Sequence, residues 1–258
     1  MKVSVGVAAE TRHQIKRARQ LANDLDLEFV DEHEAAPGYI LLVRDGRLEL
    51  LSSMKPPAHG PIFVDFVAGK AAYRQEFGGG RTQHLARAVG VKPGFCPTVI
   101  DATAGLGNDA YVLASLGCKI KMIEQCLPVV QLLEDGLLRA RGEPNTIKIA
   151  MRMLLYGGNA LDVIPALAKK QVPDVIYLDP MYPPRNKSAA VKKEMQMLQT
   201  LAGRDGDNTA LLHCALQYAG MRVVVKRPGR APAIGDSVAH ACVKSANTRY
   251  DIYLPTRD

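Results

Sequence analysis

Val99-Ile-Asp-Ala-Thr-Ala-Gly-Leu-Gly-Asn-Asp-Ala110 decides how this chain is read. A short apolar run ends at Asp101, a turn carries Gly105 and Gly107, and helix-compatible residues follow. Glycines in such a strand-to-helix turn let the chain reverse tightly and bring backbone N–H groups against a ligand. The spacing Gly105-x-Gly107-x-x-Ala110 also meets a dinucleotide fingerprint. Glu124 closes the next apolar run, 17 residues past Gly107, where an acid can accept both hydroxyls of a ribose. Nicotinamide-dinucleotide sheets and S-adenosylmethionine sheets share that acid. Asp101, four residues before Gly105, separates them, because dinucleotide folds usually place an apolar residue there. An acid at this point suits a ligand with a positively charged aminoacyl end, such as S-adenosylmethionine. The plain alternative for Asp101 and Asp109 is turn formation or helix capping.

Outward from that turn, strand and helix patterns alternate. Strands are predicted at 98–102, 119–124, 154–157, 174–178 and 222–226, and two late ones at 239–244 and 250–254 leave no room for a helix between them. The pattern predicts an α/β fold: a Rossmann-like, seven-stranded, mostly parallel sheet with right-handed crossovers and an antiparallel C-terminal hairpin. Residues 1–68 form a small N-terminal α+β domain, with a strand at 2–8, a helix at 11–25, a hairpin at 39–52 turning at Asp45-Gly46, and a strand at 62–67. Residues 69–258 form the cofactor domain. Between them Gly78, Gly79 and Gly80 fit either a linker or a loop that approaches a ligand closely.

Of the 258 residues, 47% are hydrophobic and 23% charged, enough for one sizeable core. No apolar stretch reaches the roughly 18 residues of a membrane span, and the apolar start is closed by Glu10 and Arg12. A soluble cytoplasmic protein with no membrane partner is expected. Cys96, Cys118, Cys126, Cys214 and Cys242 form no Cys-x-x-Cys pair, and His84, His213 and His240 show no ligand spacing, so no metal is expected. The net charge of +7 is uneven: residues 69–258 hold 25 basic and 16 acidic side chains, net +9. Such a surplus suits a polyanion such as RNA, or serves solubility alone.

A second motif follows the strand 174–178: Asp179-Pro180-Met181-Tyr182. It resembles the Asp/Asn-Pro-Pro-Tyr/Phe motif of class I methyltransferases that act on exocyclic amines of bases, with Met181 replacing the second proline. Such an amine is a poor nucleophile because its lone pair is delocalised into the ring. The Asp179 carboxylate and the Pro180 carbonyl would accept its N–H groups and hold the nitrogen in line with a sulfonium methyl. Tyr182 would stack on the extruded base.

Together, Phe77-Gly-Gly-Gly-Arg81, Asp101 to Gly107, Tyr177 to Tyr182, Lys187 to Met195 and Val223-Val-Val-Lys-Arg-Pro228 resemble the ribosomal small-subunit methyltransferase J family over about residues 70–230. The resemblance implies N2-methylation of a guanine in 16S rRNA with S-adenosylmethionine; the loop alone does not separate this from adenine N6. It also implies cofactor contacts at Asn108, Asp109, Glu124, Gln125, Gly158, Asn159 and Asp179. Residues 183–230 carry nine basic and three acidic side chains. From these, Arg185, Lys187, Lys192, Lys193, Lys226, Arg227 and Arg230 are expected to hold RNA phosphates, of 16S rRNA or the small subunit. Two rivals stand beside this reading: an NAD-dependent oxidoreductase, and a non-catalytic RNA-binding assembly factor.

Overall fold

The computed structural model describes residues 4–30, 38–53, 60–68, 80–180, 200–201 and 208–256. At the start of the chain lie β1 (Val5–Ala9), α1 (Ile15–Leu25), β2 (Glu28–Phe29), β3 (Tyr39–Arg44) and β4 (Arg47–Ser52). The strands form a sheet in the order β2-β1-β3-β4. β3 and β4 pair antiparallel over Asp45-Gly46, with Gly46 at φ 80°, whereas β1 runs parallel to β2 and β3. The strand expected at 62–67 shrinks to one bridge, Ile62 with Leu50. Beyond it the chain leaves the sheet because Val64 and Phe66 find apolar partners elsewhere.

The second sheet holds β5 (Thr98–Asp101), β6 (Lys119–Glu124), β7 (Met153–Gly157), β8 (Val175–Leu178), β9 (Arg222–Pro228), β10 (Ala241–Lys244) and β11 (Thr248–Tyr253). Its order is β10-β11-β9-β8-β5-β6-β7. The five strands β5 to β9 are parallel, and β11 and β10 return antiparallel at one edge, as expected. Val99, Ile100, Val175, Ile176, Leu178 and Val223 to Val225 are buried. Strands covered on both faces read as continuous apolar runs. One face carries α2 (His84–Val89), α3 (Asn108–Ser115), α4 (Leu127–Gly142) and α5 (Ile147–Ala150); the other carries α6 (Ala160–Lys170) and α7 (Asn208–Tyr218).

Val7, Leu41, Val43, Leu48 and Leu50 on one face of the first sheet join the apolar residues of α3 and α4 in one cluster, while Ala8, Ile40 and Leu42 pack with Val30 on its other face. Phe66 stacks on Tyr111 of α3, ring centroids 4.9 Å apart and planes 5° from parallel. Val64 lies over Gly136 of α4, where an added Cβ would sit 2.8 Å from the Val64 Cβ. The Arg139 guanidinium donates to the Val64 carbonyl. The segment after the small sheet is thereby bound to the helices that flank the glycine turn.

Candidate active site

Because β9, β8, β5 and β6 are neighbours, their carboxyl ends bring Lys226, Asp179, Asp101 and Glu124 to one edge of the sheet. Open α/β sheets bind ligands there. Gly107 caps α3 at φ 73°, and an added Cβ would lie 2.9 Å from Leu133 and 3.0 Å from Phe66. Gly105, at φ 54°, would point a Cβ into open space. The two glycines therefore do different things. Gly107 permits packing, and Gly105 leaves the turn open at its surface.

Glu124 stands where a ribose acid is expected, and it also ties the turn. Its Oε2 accepts from the Gly105 N–H at 2.9 Å and its Oε1 from the Cys126 N–H at 2.8 Å. At the end of β7 the Gly158 N–H donates to the Glu124 carbonyl at 2.9 Å, and the Asn159 side chain caps α6 by accepting from the Leu161 N–H at 2.9 Å. Gly158 and Asn159 thus lie beside Glu124, with the Asn159 oxygen occupied by the cap. Asn108 and Gln125 are exposed, Asn108 at the start of α3 and Gln125 directly after β6.

Two loops meet through Thr103. Its hydroxyl oxygen accepts from the Asp179 N–H at 2.6 Å, and its own N–H donates to Asp101 Oδ1 at 3.2 Å. Pro180 is buried, whereas the Asp179 side chain, at the carboxyl edge of the sheet, is 36% exposed. Lys226 Nζ donates to Asp179 Oδ2 at 2.7 Å and to Asp109 Oδ2 at 2.8 Å. The Tyr177 hydroxyl donates to the same Asp109 oxygen at 2.7 Å. Asp109 therefore turns its carboxylate into the protein, toward Lys226 and Tyr177.

Burial pushes the Asp101 carboxyl up to about 8, with the charges of Asp109 and Asp179 adding to the effect. Burial works against the Lys226 ammonium, but Asp179 and Asp109 outweigh it and hold its pKa well above the ordinary lysine range. Burial, then Asp109, raises the Tyr177 phenol. Asp179 and Asp109 together outweigh the one charge of Lys226, and Asp101 adds a further negative charge when it ionises; with the space above Gly105 this balance suits a cation and fits S-adenosylmethionine, whose aminoacyl ammonium and sulfonium are both positive. Among the described residues no cluster of His, Cys, Asp and Glu is arranged to hold a metal ion, and no helix is long and apolar enough to cross a membrane.

The basic residues expected to hold phosphates need correction on β9. The strand runs on through Pro228 instead of ending at Lys226, so Lys226 and Arg227 alternate across it. The Lys226 ammonium is engaged by two carboxylates, and Arg227 is 2% exposed. Of that trio only Arg230 is on the surface. Tyr182, Arg185, Lys187, Lys192, Lys193, Gly78 and Gly79 lie outside the described residues. Sequence reasoning missed Thr103 and Tyr177. Tyr177 carried a signal, since a tyrosine in a buried strand must find a partner for its hydroxyl.

A family model described as "Putative SAM-dependent methyltransferase" matches residues 20–255. The ribosomal RNA small subunit methyltransferase J of Nitrosococcus oceani is 47% identical over 97% of this chain and 98% of its own length. That of Thioalkalivibrio sulfidiphilus is 45% identical over 98% of both. The crystal structure of a SAM-dependent methyltransferase from Neisseria gonorrhoeae superposes with a TM-score of 0.76 at 35% identity, covering 97% of this chain and 96% of that one.

Proposed function

The chain belongs to the ribosomal RNA small subunit methyltransferase J family of S-adenosylmethionine-dependent methyltransferases, and from that premise we propose that it methylates the exocyclic N2 of a guanine in 16S rRNA. Family membership decides the choice left open by the glycine spacing in favour of S-adenosylmethionine over a nicotinamide dinucleotide. When bound, S-adenosylmethionine supplies an electrophilic methyl on a sulfonium, and the sulfur becomes a neutral thioether as the N–C bond forms.

The chain itself supplies position and charge. The Asp179 carboxylate accepts one N–H of the amine and the Pro180 carbonyl the other, which restrains the nitrogen and stabilises positive charge growing on it. As the nitrogen gains the methyl it gives up one proton, which the Asp179 carboxylate takes before it passes to solvent. Glu124 and the Gly105 turn hold the nucleoside end of the cofactor, and Asp101 its aminoacyl end. Tyr182 stacks on the extruded base, and Arg230 with Arg185, Lys187, Lys192 and Lys193 holds the RNA backbone. Such a substrate places the enzyme in the cytoplasm.

The observation that carries this reading is the 2.6 Å bond from the Asp179 N–H to Thr103, which anchors the acceptor loop against the loop that leads into the glycine turn. The test pairs Asp179→Ala with nucleoside mass spectrometry of 16S rRNA and with calorimetry. The variant is expected to bind S-adenosylhomocysteine and to leave the N2-methylguanosine unmade. Methylation at the parent rate would refute the role of Asp179, and methyl found on adenine N6 would refute the choice of base.

A further inference from the structure

We propose that Lys226 is a positioning residue for the methyl transfer, its ammonium holding the Asp179 carboxylate ionised and fixed at the carboxyl edge of the sheet by pinning it to the buried Asp109. This rests on the role proposed for Asp179. The geometry is a bridge across three elements: Lys226 rises from β9, Asp109 from the first turn of α3, and Asp179 follows β8. Asp109 is the fixed end, because the Tyr177 hydroxyl holds the same oxygen and the side chain is only 10% exposed. Asp179 is the working end, at 36%. One cation thus couples a rigid anchor to the residue that meets substrate.

The charges explain why a lysine is needed there. Among the described residues Asp179 stands in a group with Asp109 and Asp101, the Tyr177 hydroxyl lies in their midst, and the Tyr250 phenol acts on Tyr177 in turn. Carboxylates crowded together in a partly buried site compete for a proton, and the one that takes it stops accepting hydrogen bonds at that oxygen. A protonated Asp179 would lose both the charge that stabilises the amine and the capacity to take its proton. With Lys226 between them, Asp179 and Asp109 stay ionised together. A lysine with its ammonium 2.7 and 2.8 Å from two carboxylates is also poorly placed to serve an RNA phosphate, so its place in a basic stretch of sequence is misleading.

The test uses Lys226→Met, which keeps the length of the side chain, and Lys226→Arg, which keeps the charge. Each is measured by calorimetry with S-adenosylhomocysteine and by single-turnover methylation of small subunits between pH 5.5 and 9, cofactor saturating. Lys226→Met is expected to bind S-adenosylhomocysteine within about threefold of the parent. Its transfer rate should fall about 100-fold near pH 6.5 and recover as pH rises, since two carboxylates then share a proton. Lys226→Arg should keep the flat acid side of the parent profile. A Lys226→Met profile parallel to the parent at every pH would overturn the proposal and leave a merely structural bridge. Should Lys226→Met not fold, the parent decides: its rate must stay level down to about pH 5.5, and a fall already complete above pH 6 would overturn the proposal. Asp179→Ala is run alongside. If it methylates like the parent, the role of Asp179 fails first; if it is inactive while Lys226→Met matches the parent, only the role of Lys226 fails.

Discussion

Replacing Gly105 and Gly107 by alanine, one at a time, separates two functions within one three-residue turn. Both glycines sit at positive φ, 54° and 73°, so each alanine introduces about 1–2 kcal/mol of left-handed strain. At Gly107 the new methyl would also meet Leu133 at 2.9 Å and Phe66 at 3.0 Å. Both neighbours are fully packed, with exposures of 0% and 1%, and overpacking of that kind adds about 1–3 kcal/mol. Gly107→Ala should therefore cost about 2–5 kcal/mol, or roughly 5–15 °C in Tm for a chain of this size. Gly105→Ala meets nothing within 4 Å and should lose only about 2–6 °C. In binding the two should differ the other way. The Gly105 methyl enters the space proposed for the cofactor, and a clash of about 1–3 kcal/mol weakens S-adenosylhomocysteine about 5- to 150-fold. The assay is differential scanning fluorimetry with and without S-adenosylhomocysteine, followed by calorimetry on whichever variant remains folded. Equal melting temperatures for the two variants would refute the packing argument. An unchanged affinity in Gly105→Ala would show that the ligand lies elsewhere.

A carboxyl raised from 3.8 to about 8 by folding, as at Asp101, keeps its proton in the native state while the unfolded chain loses it. Its contribution to stability is present below about pH 4 and disappears as pH climbs through 8. Asp101→Asn should therefore raise Tm more at pH 8 than at pH 5, by thermal melts at both. It should also remove the pH dependence of S-adenosylhomocysteine binding, which in the parent should tighten by up to about tenfold per unit between pH 6 and 8 as the carboxylate proposed to meet the aminoacyl ammonium forms. Arg230→Glu should weaken rRNA binding alike across sequences and lower the slope of log affinity against log salt by about 1 or more, measured by filter binding, with S-adenosylhomocysteine affinity unchanged.

The sheet was legible because parallel strands buried on both faces are written as unbroken apolar runs, and Val99-Ile100, Val175-Ile176 and Val223 to Val225 are such runs. The same property hid where β9 ends. A strand with two buried faces shows no alternation to follow outward, so Lys226-Arg227 read as the start of a basic loop. In the structure each residue takes one face of the strand, and Lys226 is tolerated at the edge of the core because two acids from other elements neutralise it. Those acids are 117 and 47 positions away in sequence, beyond the reach of any local pattern. The site residues that could be read, Asp101, Gly105, Gly107, Glu124 and Asp179, all end strands or shape the turn beside one, where backbone geometry restricts the residue type. Thr103 and the bridging role of Lys226 were unreadable because they serve other side chains and nothing in their own neighbourhoods demands them, and the buried strand around Tyr177 demanded a partner for its hydroxyl without saying which.

The N-terminal residues carry no motif, yet they enter the site through packing. Phe66 is 1% exposed, stacks on Tyr111 of α3 and lies against the position where Gly107 lacks a side chain. Its ring occupies the volume that a Cβ at Gly107 would need. The glycine is thus required by a residue 41 positions earlier as much as by the turn itself. Arg139 strengthens the same junction. It donates to the Val64 carbonyl and pairs with Asp135, one turn back on α4, at 3.0 Å, while Asp135 also receives Arg17 of α1 at 3.3 Å. The end of the small sheet and the start of α3 form one packed unit around Phe66, so displacement of the first would be felt at Asn108 and Asp109. Asp109 anchors Lys226, and Lys226 holds Asp179. A physical chain of contacts therefore runs from the N-terminal segment to Asp179, the residue proposed to meet the amine, with Phe66 and Tyr111 as its first link.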